Sequence, residues 1–304
     1  MWFWLALAAL LCWSGSDLFS KIGCSNQDDR TSHLKMVIMV GLVMGIHAAY
    51  EILIGGITVT WSIIWTYLPV SLLYISSMTL GYIGLRYIEL SISSPICNSS
   101  GALAAILYLI SGERLEKMQY VGVFLVCLGV ISLAIVDARE DEELRARRQE
   151  ASNKKYAKSA LAILLPVLYC ILDAAGSFAD GLVLDKLALT IENYEASANV
   201  AYELTFLFAA VVSLIIVCGV KKEKLTVRSE GPKLVGACFE TAGQFAYIFA
   251  LSANPAAAAP MISSYCAASV LWSRIFLKEK LSWKHYATIA VAVLGIVILG
   301  VYDA

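Results

Sequence analysis

The chain alternates long apolar runs with short polar joints from one end to the other. The first run, WFWLALAALLCW at 2–13, has no basic stretch before it and is followed by nine of the same kind. It therefore reads as a retained first helix, not a cleaved signal. A spanning helix needs about 20 apolar residues, and that length predicts ten spans: 2–23, 34–55, 62–84, 89–111, 118–136, 159–186, 195–219, 233–251, 256–277 and 285–303. The longest polar piece, 137–158, divides them five and five. Its Asp141/Arg145 and Glu143/Arg147 spacings suit a short solvated helix, so it reads as a linker and a topology signal.

The two halves repeat each other. Residues 84–115 align without gaps on 250–281, ending in ERL and EKL, and the same offset of 166 places Tyr120 on Tyr286 and Gly129 on Gly295. Five spans per unit is an odd number, so the second unit must lie upside down relative to the first. The expected fold is an all-α integral membrane protein with ten transmembrane helices as two inverted five-helix repeats. The first repeat would occupy 1–136, the charged linker 137–158 and the second repeat 159–304. Inverted repeats of this kind place a ligand site near the midplane between them.

Some segments carry a resemblance. WSGSDLFSK at 13–21 resembles the first-helix pattern of the EamA-like transporters of the drug/metabolite transporter superfamily. SGERL and LKEKL, each followed by a glycine-containing last helix, resemble the close of each EamA repeat. The resemblance implies a carrier working by alternating access, and it does not fix the substrate, since members move amino acids, amines, choline, nucleotide sugars and drugs. Asp17 departs from the pattern, where an uncharged residue is expected.

Composition agrees with the periodicity. Hydrophobic residues make up 59% of the chain and charged residues 15%, against roughly 45–50% and about 25% in globular domains. The eight cysteines form no CxxC pair and read as small apolar residues, and the three histidines lie far apart, so no metal centre and no cofactor is expected. With both termini outside, 19 of the Lys and Arg residues fall on the inner side and three outside, with Arg274 left in a span. That bias orients the linker to the cytoplasm, and a bacterial cytoplasmic membrane is the expected location. Trp2, Trp4, Trp61, Trp65 and Trp283 read as interfacial anchors.

The candidate chemistry lies in the ionisable residues within the spans. Each costs about 2.5–3.5 kcal/mol at a helix centre, so it needs a partner, water or a function. Asp17, Asp173, Glu203 and Glu240 lie deep, while Asp180 and Glu51 read as interfacial. Helical spacing puts Gln244 and Tyr247 beside Glu240, Tyr169 beside Asp173, Trp13 beside Asp17 and Asn199 beside Glu203. Carboxylates flanked by aromatic rings, without matching Lys or Arg, suit an organic cation held by charge and cation–π attraction. The expected substrate-binding residues are therefore Glu240, Asp173, Glu203, Asp17, Gln244, Tyr247, Tyr169 and Trp13.

The leading expectation is a secondary transporter of an organic cation or amine, exchanged for protons, with no catalytic residues. Its partners would be a small-molecule substrate, protons or another counter-ion and the lipid bilayer, with no nucleic acid. The alternatives are an exporter of neutral amino acids or other uncharged metabolites, and a membrane-embedded enzyme acting on lipid-linked substrates. No P-loop is present to couple transport to ATP. A cysteine in place of Ser152 is predicted to react with an impermeant thiol reagent only after the cells are permeabilised. Labelling in intact cells would reverse the orientation.

Overall fold

The computed structural model describes residues 2–26, 28–138, 160–279 and 281–302. The ion pairs expected at Asp141/Arg145 and Glu143/Arg147 lie outside them. All regular structure among the described residues is helical. The elements are α1 (Trp2–Cys24), α2 (Ser32–Leu53), α3 (Trp61–Gly84), α4 (Leu90–Asn98), α5 (Ser100–Ser111) and α6 (Lys117–Ala138). There follow α7 (Ala160–Ala188), α8 (Tyr194–Leu214), α9 (Val227–Ala253), α10 (Pro255–Ser263), α11 (Tyr265–Phe276) and α12 (Trp283–Val301). A π-helical turn, Ile215–Val220, extends α8. Taking α4–α5 and α10–α11 each as one broken span, these are the ten stretches expected, with ends shifted by a few residues.

Local chemistry sets the ends. Thr60 accepts from the Ile63 amide at the start of α3. Asn254 accepts from the Ala257 amide, with Pro255 at the first position of α10. Such caps satisfy amides that have no partner within the helix. At the start of α12, Ser282 and His285 bond each other reciprocally. Gly112 ends α5 with φ of 109°, a conformation that glycine adopts without strain.

Nine stretches among the described residues are long and apolar enough to cross a membrane. The remaining span, α10–α11, is lined with small residues, and Ala256 to Ile262 are all buried inside the bundle. A helix shielded from lipid by its neighbours has less need of a strongly apolar surface.

Packing pairs the halves. The closest partners are α1 with α9, α3 with α7, α2 with α8, α5 with α10 and α6 with α12. Exchanging spans one to five for six to ten leaves this pattern unchanged. In lipid no hydrophobic force drives helices together, so small residues that admit close approach set the contacts. A Cβ on Gly41 of α2 would lie 2.6 Å from the Phe206 carbonyl of α8, and one on Gly295 of α12 would lie 2.7 Å from the Gly122 carbonyl of α6.

The breaks in the two split spans correct the sequence register. α4 and α10 each have nine residues, α5 and α11 each twelve, and the hinges fall at Ser99 and Ser264. The offset there is 165, one less than the gapless alignment required. It puts Pro95 and Pro260 in equivalent places. The additional residue lies between Phe276 and Glu279, where Lys278 has a positive φ of 58°. Each proline removes one amide from the helix ladder. Ser99 and Ser264 then bond back to the carbonyls of Pro95 and Met261 respectively.

Among the tryptophans expected at interfaces, Trp4, Trp61, Trp65 and Trp283 are exposed. Trp2 is instead buried beside Phe3. Of the cysteines, Cys24, Cys97, Cys170 and Cys266 are buried, whereas Cys218 and Cys238 are exposed on the outer surface.

Candidate functional site

A cavity of about 70 Å³ lies at the centre of the bundle, several times the space one water needs. Asp17, Asp173, Glu240, Gln244, Tyr247, Tyr169 and Trp13 all line it. Seven of the eight residues singled out from sequence therefore meet at one place, brought there from α1, α7 and α9. Among the described residues the lining contains no lysine, arginine or histidine.

The carboxylates are held by serine hydroxyls from other helices. Asp17 Oδ2 accepts from Ser94 Oγ of α4 at 2.5 Å and from Ser269 Oγ of α11 at 2.8 Å. Asp173 Oδ2 accepts from Ser100 Oγ of α5 at 2.7 Å. Glu240 Oε2 accepts from Ser16 Oγ of α1 at 2.7 Å. Bonds to ionised acceptors are stronger than neutral ones, so these serines fix the rotamers of the acids as well as solvating them.

The aromatic wall is continuous. Trp13 lies 5.1 Å from Tyr247 and 5.9 Å from Tyr265 between ring centres, and Tyr247 lies 6.2 Å from Tyr74. Trp13 also donates Nε1 to the Glu240 carbonyl at 3.3 Å. Glycines make room for the rings. A Cβ on Gly81 would come within 3.0 Å of Tyr169, and one on Gly243 would collide with Trp13. These two arrangements correspond between the halves, one packing α7 on α3 and the other α1 on α9.

Two polar atoms in the lining have no hydrogen-bond partner. Gln244 Nε2 and Tyr82 Oη are buried and unbonded. An offset of 162 carries Tyr82 to Gln244 and Gly81 to Gly243. The same offset carries Met78 to Glu240, so only the second half brings a carboxylate to this position.

Glu203 is the exception among the expected site residues. It is fully buried between α8 and α2, away from the cavity lining, and its Oε1 lies 2.8 Å from His47 Nδ1. Asn199 Nδ2 donates to it at 3.1 Å, as the helical spacing implied. The adjacent Tyr202 lines the cavity instead. His47 Nε2 lies 3.7 Å from Glu51 Oε1, so the imidazole has a carboxylate at each nitrogen. Asp180 also departs from its interfacial reading, being fully buried and accepting from Tyr67 Oη at 2.6 Å.

One end of the bundle is tied by charge. Lys21 Nζ donates to the Leu85 and Ile88 carbonyls beyond the end of α3, at 2.8 and 2.7 Å. Cations are favourable at helix C-termini, where carbonyls are otherwise unbonded. Glu279 accepts from the first amides of α4, at Leu90 and Ser91. Lys233 and Glu230 pair at 2.6 Å, both buried. Lys35 joins Asp29 at 3.0 Å and Glu223 at 2.8 Å.

These contacts join loops at one end of the bundle, and the profile of a known family matches the helices that they connect. The sequence model of the EamA-like transporter family matches residues 1–135 and again 166–301. The chain belongs to the EamA-like transporter family. It is therefore a membrane transporter of small molecules. Comparison with curated proteins gives no match. A protein of known crystal structure resembles this one with a TM-score of 0.56 at 13% identity, over 98% of this chain and 96% of the other, which supports the fold alone.

Against this EamA-like frame, sequence reasoning missed the serines and most of the tyrosines. Ser94, Ser100 and Ser269 sit in the interiors of apolar spans, and only their positions on the inward faces of the broken helices could have marked them. Nothing along the chain marks His47 as the partner of Glu203, because the two lie 156 positions apart.

The loop cluster has a defined pH response. Partial burial works against ionisation of Asp29, but bonds from Lys35 and Thr31 hold its carboxyl below the usual range. The Lys35 bond, with Thr31, holds Glu223 below its usual range. Depressed carboxylates contribute stability above about pH 4, the ordinary carboxylate range, and lose it as pH falls through their lowered values. Hydrogen exchange in 28–31 and 221–226 is expected to quicken between pH 5 and pH 3, after correction for the intrinsic pH dependence of exchange. Unchanged protection across that range would show that the ion pairs do not hold these loops.

Proposed function

We propose that this EamA-like protein carries an organic cation or amine through the central cavity by alternating access, in exchange for protons. The observation that carries the reading is the convergence of Asp17, Asp173 and Glu240 on one cavity, with aromatic rings and no basic residue in its lining. Buried charges require compensation. A cationic substrate supplies it in one step of the cycle and protons supply it in the other. Trp13 and Tyr247 line the cavity beside the carboxylates, where a ring face would attract a cation.

Glu240 is the proposed centre of the site. Glu240→Gln keeps the shape and the Ser16 contact while removing the charge. It is expected to lower transport by about 10- to 100-fold, the value of one charge-assisted bond, with expression and fold retained. The substrate class is read by thermal shift of the purified protein with primary amines and with tetramethylammonium, which stabilise the form that binds them. Normal transport by Glu240→Gln across pH would remove the cation site.

A second reading has its own observation. Gln244 Nε2 and Tyr82 Oη are donors without acceptors in the same cavity, and an uncharged or zwitterionic metabolite with a carbonyl would satisfy them. Neutral amino acids raising the unfolding temperature, with amines inert, would favour it.

We also infer that 1–136 and 159–304 are inverted repeats joined by a cytoplasmic linker, with both termini outside. The two family matches, the exchangeable packing pattern and the equivalent hinges at Ser99 and Ser264 support this. Asn26 and Glu192 follow the first span of each half. Cysteines at these positions are expected to label from opposite sides of the membrane, and labelling from the same side would refute inversion.

A further inference from the structure

Asp180 is a buried acidic group near the cavity that the proposed substrate site does not use. It lies seven residues beyond Asp173 on α7, about 10 Å along the helix, toward the end that carries loops 54–60 and 189–193. The side chain is fully buried. Among the described residues it makes no ion pair. Its surroundings are hydroxyls. Tyr67 Oη of α3 donates to Oδ1 at 2.6 Å and Tyr74 Oη to Oδ2 at 3.4 Å.

Those hydroxyls lead back to the cavity. Tyr74 Oη contacts Tyr247 Oη of α9 and lies 3.2 Å from Ser177 Oγ. Tyr74, Tyr247 and Ser177 all line the cavity, and neither Asp180 nor Tyr67 does. Tyr74 has one hydroxyl proton for three neighbouring oxygens, so some of these contacts must be donated from the other side. A connected row of hydroxyls with more acceptors than protons is a route for a proton. The other groups facing the cluster are Tyr108 of α5, which donates to the Ser177 carbonyl, and Tyr202 of α8, whose ring lies 6.0 Å from that of Tyr74. Asp173 and Asp185 are the next charged groups on α7 itself.

We propose that Asp180 is a proton-binding residue separate from the substrate carboxylates, and that its hydrogen bonds to Tyr67 and Tyr74 lock the end of the bundle that carries loops 54–60 and 189–193. Resting on the alternating-access reading, the device works by exchange of hydrogen-bond roles. Ionised Asp180 accepts from both tyrosines and draws α3 onto α7. A proton from cavity water passes through Tyr247 and Tyr74 and binds one carboxylate oxygen, turning an acceptor into a donor. The facing hydroxyl must then accept where it had donated and turn its own proton elsewhere, so a bond to a charged acceptor becomes a weaker neutral one and the α3–α7 contact loosens. One proton is taken up for each opening and returned on closing.

The test needs no substrate. Cys97 lines the cavity, so its rate of labelling by a trimethylammonium methanethiosulfonate reports opening. The probe protein is the full chain in detergent with the other seven cysteines replaced by alanine. Rates are corrected at each pH for thiolate reactivity, measured on the same protein in denaturant. The parent is expected to label about tenfold faster at pH 5.5 than at pH 8, the value of one bond to a charged acceptor. Asp180→Asn is expected to label at the fast rate at both pH values. Tyr67→Phe removes one donor to the ionised form, so the midpoint of the response should move to higher pH.

Parent-like pH dependence in Asp180→Asn would overturn the proposal, and so would an unmoved midpoint in Tyr67→Phe. Should Asp180→Asn not fold, Tyr67→Phe decides alone. Loss of transport in Glu240→Gln with the Cys97 response intact would separate the substrate site from the lock. Normal transport in Glu240→Gln, with Cys97 responding as expected, would remove the cation reading and leave the lock.

Discussion

The bond between Asp17 and the serines of two broken helices is the constraint on which the centre of the molecule depends. One carboxylate of α1 accepts from Ser94 on α4 and Ser269 on α11. An acid at that depth needs such donors, and they come from the two spans that break at Ser99 and Ser264. The prolines, the hinges and the acid therefore form one arrangement. Removal of both serines would leave the buried carboxylate without a donor, a costlier change than the loss of a single contact.

The halves share a plan and differ in chemistry. Trp13 over Gly243 has its counterpart in Tyr169 over Gly81, and Asp17 has one in Asp173, four residues after its ring in each case. Beyond that the correspondence lapses. Glu240 stands where the first half has Met78, and Gln244 where it has Tyr82. A duplicated frame of this kind supplies two similar walls, and divergence at a few inward positions gives the space between them an orientation. The ends differ in the same way. One is tied by lysines, glutamates and carbonyls, whereas toward the other tyrosine hydroxyls bond Asp180 and Ser252 bonds Glu195.

Much of this was legible in the chain. The ten spans are visible because lipid demands sustained apolarity, and the seven cavity residues because an acid in such a run stands out. Helical spacing also placed Gln244 and Tyr247 with Glu240. It failed where the deciding partner was remote. Glu203 reads like the other acids along α8, yet His47 on α2 claims it. Asp180 lies closer to the end of its helix than Asp173, which suggests exposure to water, but Tyr67 and Tyr74 on α3 cover it. The gapless alignment erred by one residue because Lys278 can take a left-handed turn between two segments that otherwise match. Depth and periodicity are properties of one helix, whereas partnership is a property of two.

The packing of α6 against α12 bears on how the protein could change over time. Glycines on both helices bring their backbones together, and among the described residues none of either borders the cavity. Together they form a clasp on the flank of the bundle, fastening one half to the other without sharing in the interior. Mutations there would be felt as adhesion between halves, and mutations at the inward positions that line the cavity as selectivity. That seam thus adds hold without touching what is recognised, and it can drift without dragging the cavity along.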